Sequence, residues 1–288
     1  MIKKQPLHGL PRPRKRFGQH FLVDQTAIGQ IVDLIHPLET EQVLEIGPGR
    51  GALTKPLVSR LERLVAVEID RDLAAFLRQR FGGSGFCLIE DDILQLDLCE
   101  VVREEKKEKL MIVGNLPYNI TAPLLFKLLE QVDCVGKAIM MLQREVARRL
   151  VAQPGSKDYS LLSVLLAMHA EVKVCLEVGH KAFRPVPKVE STVVEFNFES
   201  ACRYPVQDEV MFRRLVRTAF AQRRKMLRNS LLGLVQQGER EELEAITGRA
   251  VIDLTRRPET LSLEEFCLLS DAFTAAGLGQ PMAGKTGE

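Results

Sequence analysis

"VLEIGPGRGALT", residues 43–54, decides the fold. Gly47, Gly49 and Gly51 stand directly after a strand-like run at 42–46 and before a helix-like run at 52–61. Glycine lets a turn tighten and lets a ligand approach the backbone with no Cβ in the way. At the carboxyl end of a strand such a turn marks a nucleotide-type ligand. The dinucleotide fingerprint is G-x-G-x-x-G, with a pyrophosphate on the helix N-terminus. This turn reads G-x-G-x-G and is preceded by Glu45, which suits a ligand without a phosphate, such as S-adenosylmethionine. A dehydrogenase falls behind. Glu45 either orients the loop, faces the amino-acid end of the cofactor, or is purely structural.

Outward from that turn, strand and helix patterns alternate. Strands are expected at 64–69, 86–93, 110–113 and 137–142, with helices at 72–81, 122–131 and 145–152 and a charged amphipathic stretch before 109. Such β-α alternation implies a mostly parallel sheet covered on both faces. Two later strand-like runs, 171–177 and 192–198, flank the proline-rich "FRPVPK" and suit an antiparallel edge. Beyond about 204 the pattern is helical, at 209–222, 225–235, 239–247 and 262–276. The last ten residues are expected to be disordered.

Composition excludes other classes. With 288 residues, 45% hydrophobic and 27% charged, the chain suits a globular protein of one or two domains. No apolar run approaches the ~20 residues of a membrane span, and no apolar segment follows the basic N-terminus as in a secretory signal. The six cysteines (87, 99, 134, 175, 202 and 267) show neither CxxC nor zinc spacing and are expected to be buried thiols in a reducing cytoplasm; no metal site is expected. Net charge is only +2, yet residues 1–16 hold six basic residues, Arg14, Lys15 and Arg16 among them, and no acid. A second basic cluster includes Arg223, Arg224, Lys225 and Arg228. Two local excesses in a near-neutral chain point to a polyanion.

The strand ends carry the chemistry. Glu68 falls at the tip of "VAVEID", where a carboxylate accepts bonds from ribose hydroxyls; Asp92, in "IEDDIL", is placed for an adenine edge with Ile93 on its face. The fourth strand ends in Asn115-Leu116-Pro117-Tyr118. An adenine exocyclic amine is a poor nucleophile because its lone pair is delocalised. The Asn115 amide oxygen and the Leu116 carbonyl can each accept one amine proton and aim that lone pair at a methyl donor. Pro117 fixes φ and has no competing N–H. Tyr118 offers a stacking face, so catalysis is positioning and electrostatics. A base reaches such a pocket only unpaired or flipped out, between two faces. Phe183, on the proline-stiffened loop, is expected as the second.

These motifs resemble the KsgA/RsmA family of small-subunit ribosomal RNA adenine dimethyltransferases, relatives of the Erm enzymes. The likeness runs from "RFGQHFLVD" (16–24) through the glycine turn, "VEID", "DDIL", "NLPYNIT" and "FRPVPKVEST" to "AFAQRRKMLRNSL" (219–231). It implies a Rossmann-like S-adenosylmethionine-dependent methyltransferase domain at 17–203 and a helical RNA-binding domain at 204–278, with a basic arm at 1–16 and a tail at 279–288. By that likeness Gln19, His20 and Leu22 close over a cofactor lined by Gly47, Glu68, Ile69, Asp92 and Asn115. The implied reaction is N6,N6-dimethylation of two adjacent adenosines near the 3′ end of small-subunit RNA, late in subunit assembly, by a monomer. Position 20 is His where Asn is common in the family, and Ser160 stands where glycine is usual. Two other functions stay open: an assembly checkpoint whose release methylation triggers, and Erm-like methylation of large-subunit RNA.

Overall fold

A computed structural model describes residues 11–14, 18–83, 85–199, 205–235, 240–248 and 250–278. Lys15, Arg16, Cys202, most of the expected basic arm and the expected disordered tail lie outside the described residues. The chain forms two compact units, Met1–Ala147 with Lys173–Glu199, and Arg148–Val172 with Ser200–Glu288.

In the first unit, β1 (Phe21–Leu22) leads into α1 (Gln25–Val32), then β2 (Glu41–Ile46), α2 (Thr54–Arg60), β3 (Leu64–Val67), α3 (Arg71–Phe81), β4 (Phe86–Ile89), α4 (Leu98–Glu105), β5 (Lys109–Asn115), α5 (Thr121–Glu130) and β6 (Val135–Gln143). A helix, α6 (Arg144–Leu150), follows, and after α7 (Leu161–His169) come β7 (Glu171–Val178), β8 (Phe183–Arg184) and β9 (Ser191–Asn197). The main sheet has the order β4-β3-β2-β5-β6-β9-β7. Its β2–β3, β3–β4, β2–β5 and β5–β6 pairs are parallel, and β9 runs antiparallel to β6. Every residue of β2 and β3 is buried, as expected of strands covered on both faces. The helices bury one stripe each: in α1 it is Ala27, Ile28, Ile31 and Val32, and Asp24 caps it by accepting the Ala27 N–H at 2.9 Å.

The chain steps outward from β2 to β4, then returns to β5 on the other side of β2. That reversal opens a crevice at the carboxyl ends of β2 and β5. The register there pairs Ile46 with Gly114, so Gly47 and Asn115 come next, side by side at the carboxyl ends of β2 and β5.

Several expectations need correction. The third strand stops at Ile89, because the Asp92 carboxylate accepts the Leu94 N–H at 2.9 Å and closes a turn. A second sheet, β1 against β8, has no counterpart in the sequence patterns; it pairs Phe21 with Arg184 and Leu22 with Phe183. The expected helix at 225–235 is α9 (Leu227–Ser230) followed by a 3-10 turn, Leu232–Leu234, around the poor helix former Gly233. Cys99 and Cys134, expected as thiols, are joined by a disulfide, their Cα atoms 5.2 Å apart, because the α4 start meets the turn before β6.

The second unit contains α7 and, past 204, α8 (Glu209–Ala221), α9, α10 (Arg240–Gly248) and α11 (Leu263–Ala275). Arg148–Val172 groups with these helices rather than with the sheet that sequence assigned it to. Tyr159 meets Phe220 edge-on at 6.2 Å, and Phe220 packs on Phe266 at 5.9 Å. With Val164, Leu165, Phe212, Leu215 and Phe273 buried, these rings make a core of the unit's own. Each such side chain contributes roughly 1.5–3 kcal/mol on burial.

Candidate active site

A cavity of roughly 280 Å³ opens in the crevice between β2 and β5. The glycine turn forms its floor. Gly47 and Gly49 sit at φ +63° and +58°, a backbone region that side chains disfavour. In front of Gly47 the space is open: a Cβ there would meet nothing within 4 Å. At Gly49 a Cβ would lie 3.1 Å from the Phe21 ring, so β1 is seated directly on the turn. The Arg50 guanidinium covers that ring at 4.4 Å and donates to the Pro11 carbonyl at 2.6 Å.

Two buried carboxylates brace the turn. Glu68 Oε2 accepts the Gly49 N–H at 3.1 Å, and Oε1 accepts the Asp70 N–H at 3.0 Å. Burial raises its pKa against those backbone donors. Glu45 lines the cavity and accepts from the Thr54 hydroxyl at 2.7 Å, fixing the start of α2. Burial pushes its pKa up to about 7, with the Glu68 charge adding to the rise. Of the roles left open for Glu45, the bond to Thr54 is a contact with the start of α2. Farther along, Ile69 is exposed at the wall, Ile93 is buried behind Asp92, and all three line the cavity with Gly51's neighbour Ala52. Among the described residues no group of three or more His, Cys, Asp or Glu is arranged to hold a metal.

Asn115 closes the far end. Its Nδ2 lies 3.0 Å from the His20 carbonyl. A carbonyl only accepts, so the amide nitrogen faces it and Oδ1 is left for another donor. Leu116 buries its side chain, and Pro117 at φ −58° leads into the 3-10 turn Tyr118–Ile120. The Tyr118 hydroxyl meets Ser191 Oγ of β9 at 3.1 Å. Ser191 had no role assigned from sequence, though it belongs to the quoted "KVEST".

The structure gathers Gln19, His20, Leu22, Glu45, Gly47, Gly49, Glu68, Ile69, Asp92, Ile93 and Asn115–Tyr118 around one cavity. Gly51 stands beside it, in the same turn. Gln19 joins the wall while donating to Asp70 at 3.2 Å. His20 turns its ring toward Tyr118.

Three expectations change. Phe183 is not a cavity wall: at 1% exposure it packs in the core with Leu22, Val178, Ala182 and Val193. Its pairing with Leu22 in β8 turns it inward and leaves Arg184 outward. Arg14, expected at RNA, has its guanidinium 3.1 Å from Asp70 and also paired with Asp72. Arg223 donates to Glu259 and to the Lys157 carbonyl, both at 2.6 Å. Arg224, Lys225 and Arg228 stay exposed.

Comparison with known proteins agrees with this geometry. A family model described as ribosomal RNA adenine dimethylase matches residues 11–268. The ribosomal RNA small subunit methyltransferase A of Geobacter metallireducens is 44% identical over 92% of this chain and 97% of its own length. Its Pseudomonas aeruginosa counterpart is 44% identical over 90% and 94%. Among solved structures, the 23S rRNA methyltransferase ErmE shares 26% identity at a TM-score of 0.66, covering 88% of this chain and 99% of that one. A dimethyladenosine transferase from Plasmodium falciparum, 22% identical, matches the fold at 0.76 over 90% of this chain and 98% of its own. With a strand-tip Asn-Leu-Pro-Tyr beside a glycine turn and a family match across nearly its whole length, this chain belongs to the ribosomal RNA adenine dimethylase family of methyltransferases.

Proposed function

We propose that this protein dimethylates N6 of two adjacent adenosines near the 3′ end of small-subunit (16S) ribosomal RNA, late in subunit assembly, using S-adenosylmethionine. One observation carries the reading: a single cavity is lined by the glycine turn, by Glu68 and Asp92, and by Asn115, whose amide nitrogen is taken by the His20 carbonyl. The cavity fits that cofactor because open space lies before Gly47, acids stand at Glu68 and Asp92, and apolar surface at Ile69 and Ile93. Bound there, S-adenosylmethionine supplies an electrophilic methyl group.

The chain's own residues do the rest. Glu68, already bracing Gly49, keeps lone pairs for ribose hydroxyls, and Asp92 accepts from the adenine edge of the cofactor. Asn115 Oδ1 and the Leu116 carbonyl accept the two protons of the target amine, holding the nitrogen with its lone pair directed at the methyl group. No general base is needed beforehand, because the methylated nitrogen is cationic and loses its proton readily. Tyr118 stacks the base, and its bond to Ser191 keeps the ring from turning. Arg224, Lys225 and Arg228 bind RNA phosphates. Small-subunit RNA is favoured as substrate because the relatives that match nearly the whole chain carry that name.

The test is transfer of label from S-adenosylmethionine to small subunits lacking the modification, with large subunits and naked RNAs alongside. Label in small-subunit RNA alone is expected. Label in large-subunit RNA would move the substrate to the Erm side, and label in neither would overturn the reading.

A further inference from the structure

The disulfide between Cys99 and Cys134 joins two elements that do not line the cavity. Cys99 stands in the first turn of α4, and Cys134 ends the 3-10 turn Val132–Cys134 that leads into β6. Both are half-buried and outside the core. Thiol–disulfide exchange proceeds by direct attack on a sulfur, so access to the bond governs its reactivity. The bond sits where the chain from Asp92 enters α4. At the start of that segment the Asp92 carboxylate accepts the Leu94 N–H at 2.9 Å, and the Asp92 carbonyl accepts the Gln95 N–H at 2.8 Å. At its end Asp97 caps α4 by accepting the Cys99 N–H at 2.8 Å. Two side chains tie the segment down. Lys127 of α5 donates to the Leu94 carbonyl at 3.2 Å. Gln131, just past α5, accepts the Leu98 N–H at 3.1 Å and donates to the Asp97 carboxylate at 3.3 Å. These are partly exposed hydrogen bonds, each of modest net strength. The disulfide adds a covalent tie across the same junction.

We propose that Cys99 and Cys134 form a reversible thiol–disulfide pair that sets how firmly the cavity holds its cofactor. The proposal rests on the S-adenosylmethionine reading above, because its effect is felt at that cavity. Oxidised, the pair fixes the segment from Asp92 to Asp97 and, with it, Asp92 and Ile93 in the cavity wall. Reduced, the junction rests on the hydrogen bonds from Lys127 and Gln131, and the segment opens more often. The chemistry balances with a low-molecular-weight disulfide such as oxidised glutathione. One cysteine thiolate attacks a sulfur of the small disulfide and expels a thiolate. The other cysteine then attacks the protein sulfur of the mixed disulfide, forming the Cys99–Cys134 bond and expelling the second thiolate. The two cysteines lose two protons and two electrons, and the small disulfide gains both as two thiols. Excess small thiol runs the same steps backwards.

The test equilibrates the full chain with glutathione at ratios from oxidised to reduced, then alkylates and digests it. A linked peptide pair carrying Cys99 and Cys134 is expected from oxidised samples and not from reduced ones. Amide hydrogen exchange at 93–98 and, by calorimetry, the Kd for S-adenosylmethionine are measured in both states. Reduction is expected to speed that exchange by about tenfold or more and to weaken cofactor binding by about threefold or more. Cys99→Ser and Cys134→Ser are each expected to match reduced wild type, with or without oxidised glutathione. Wild type is compared with itself across the redox series, so a variant that fails to fold leaves the test standing. No linked peptide in oxidised samples would overturn the proposal. So would exchange at 93–98, or a cofactor Kd, that is the same in both states. Redox dependence that persists in the Ser variants would overturn it too, since another cysteine is then responsible. No cofactor binding in either state, with redox-dependent exchange intact, is the separate failure of the cofactor reading, and the pair's effect on the cavity falls with it.

Discussion

One hydrogen bond orients the Asn115 amide. The His20 carbonyl takes its nitrogen, which leaves the oxygen as the acceptor that the proposed reaction uses. Asn115→Ala is expected to lower kcat by about 10²–10³, the usual cost of losing one preorganised polar partner, and to weaken S-adenosylmethionine binding, measured by calorimetry, far less than that. Loss of cofactor affinity in step with kcat would place Asn115 at the cofactor instead.

Glu45 gives a residue-scale prediction about pH. Its folded pKa of about 7 lies above the ordinary 4.5, so the folded chain holds this proton more tightly than the unfolded chain. The stabilisation from the neutral acid is complete below the ordinary value. It is lost as pH rises toward and through about 7, a total of about 3 kcal/mol. Glu45→Gln, which still accepts from Thr54, is expected to match wild type near pH 4.5 and to exceed it in stability by up to that amount at pH 8. Urea unfolding across the pH series checks this, and a difference that stays flat with pH would refute it. At this scale much was legible: Gly47, Glu68, Asp92 and Asn115–Tyr118 were placed by their positions at successive strand tips. Phe183 was not, because the direction of its side chain depends on a two-residue pairing with β1, 161 residues earlier in the chain from Leu22, which no local pattern records.

Among elements, the glycine turn and β1 act as one part. Gly49 has positive φ and the Phe21 ring against it, so any side chain there is strained and displaces β1. Gly49→Ala is expected to cost about 1–2 kcal/mol from the backbone alone. Cofactor binding should weaken at least tenfold. Equilibrium unfolding together with calorimetric titration measures both, and a variant with wild-type affinity would show that β1 is not coupled to the turn. Sequence patterns find glycine turns because they are local. They miss β1 and β8, whose two-residue length is below any period that repeats. They also misassign 148–172: α7 is apolar around most of its surface, so its periodicity does not tell which core it enters.

For the whole molecule, the basic clusters divide by pairing rather than by count. Arg14 and Arg223 are held by carboxylates, while Arg224, Lys225 and Arg228 are exposed. Replacing those three with Ala is expected to weaken RNA binding and to reduce the magnitude of the slope of log K against log salt by about 2–3, with kcat at saturating substrate nearly unchanged. Filter binding over a salt series decides it, and an unaltered slope would remove this surface from RNA recognition. Composition revealed the clusters but not their partners, since an ion pair such as Arg14 with Asp70 joins residues 56 positions apart.

Nucleoside mass analysis of small-subunit RNA, after undermethylated subunits are incubated with S-adenosylmethionine and either the wild-type chain or Asn115→Ala, bears most directly on adenine dimethylation at this site. N6,N6-dimethyladenosine is expected at two adjacent positions near the 3′ end with wild type and at neither with the variant, both at saturating cofactor. A methyl group found on any other atom, or dimethyladenosine formed equally well by Asn115→Ala, would contradict the account.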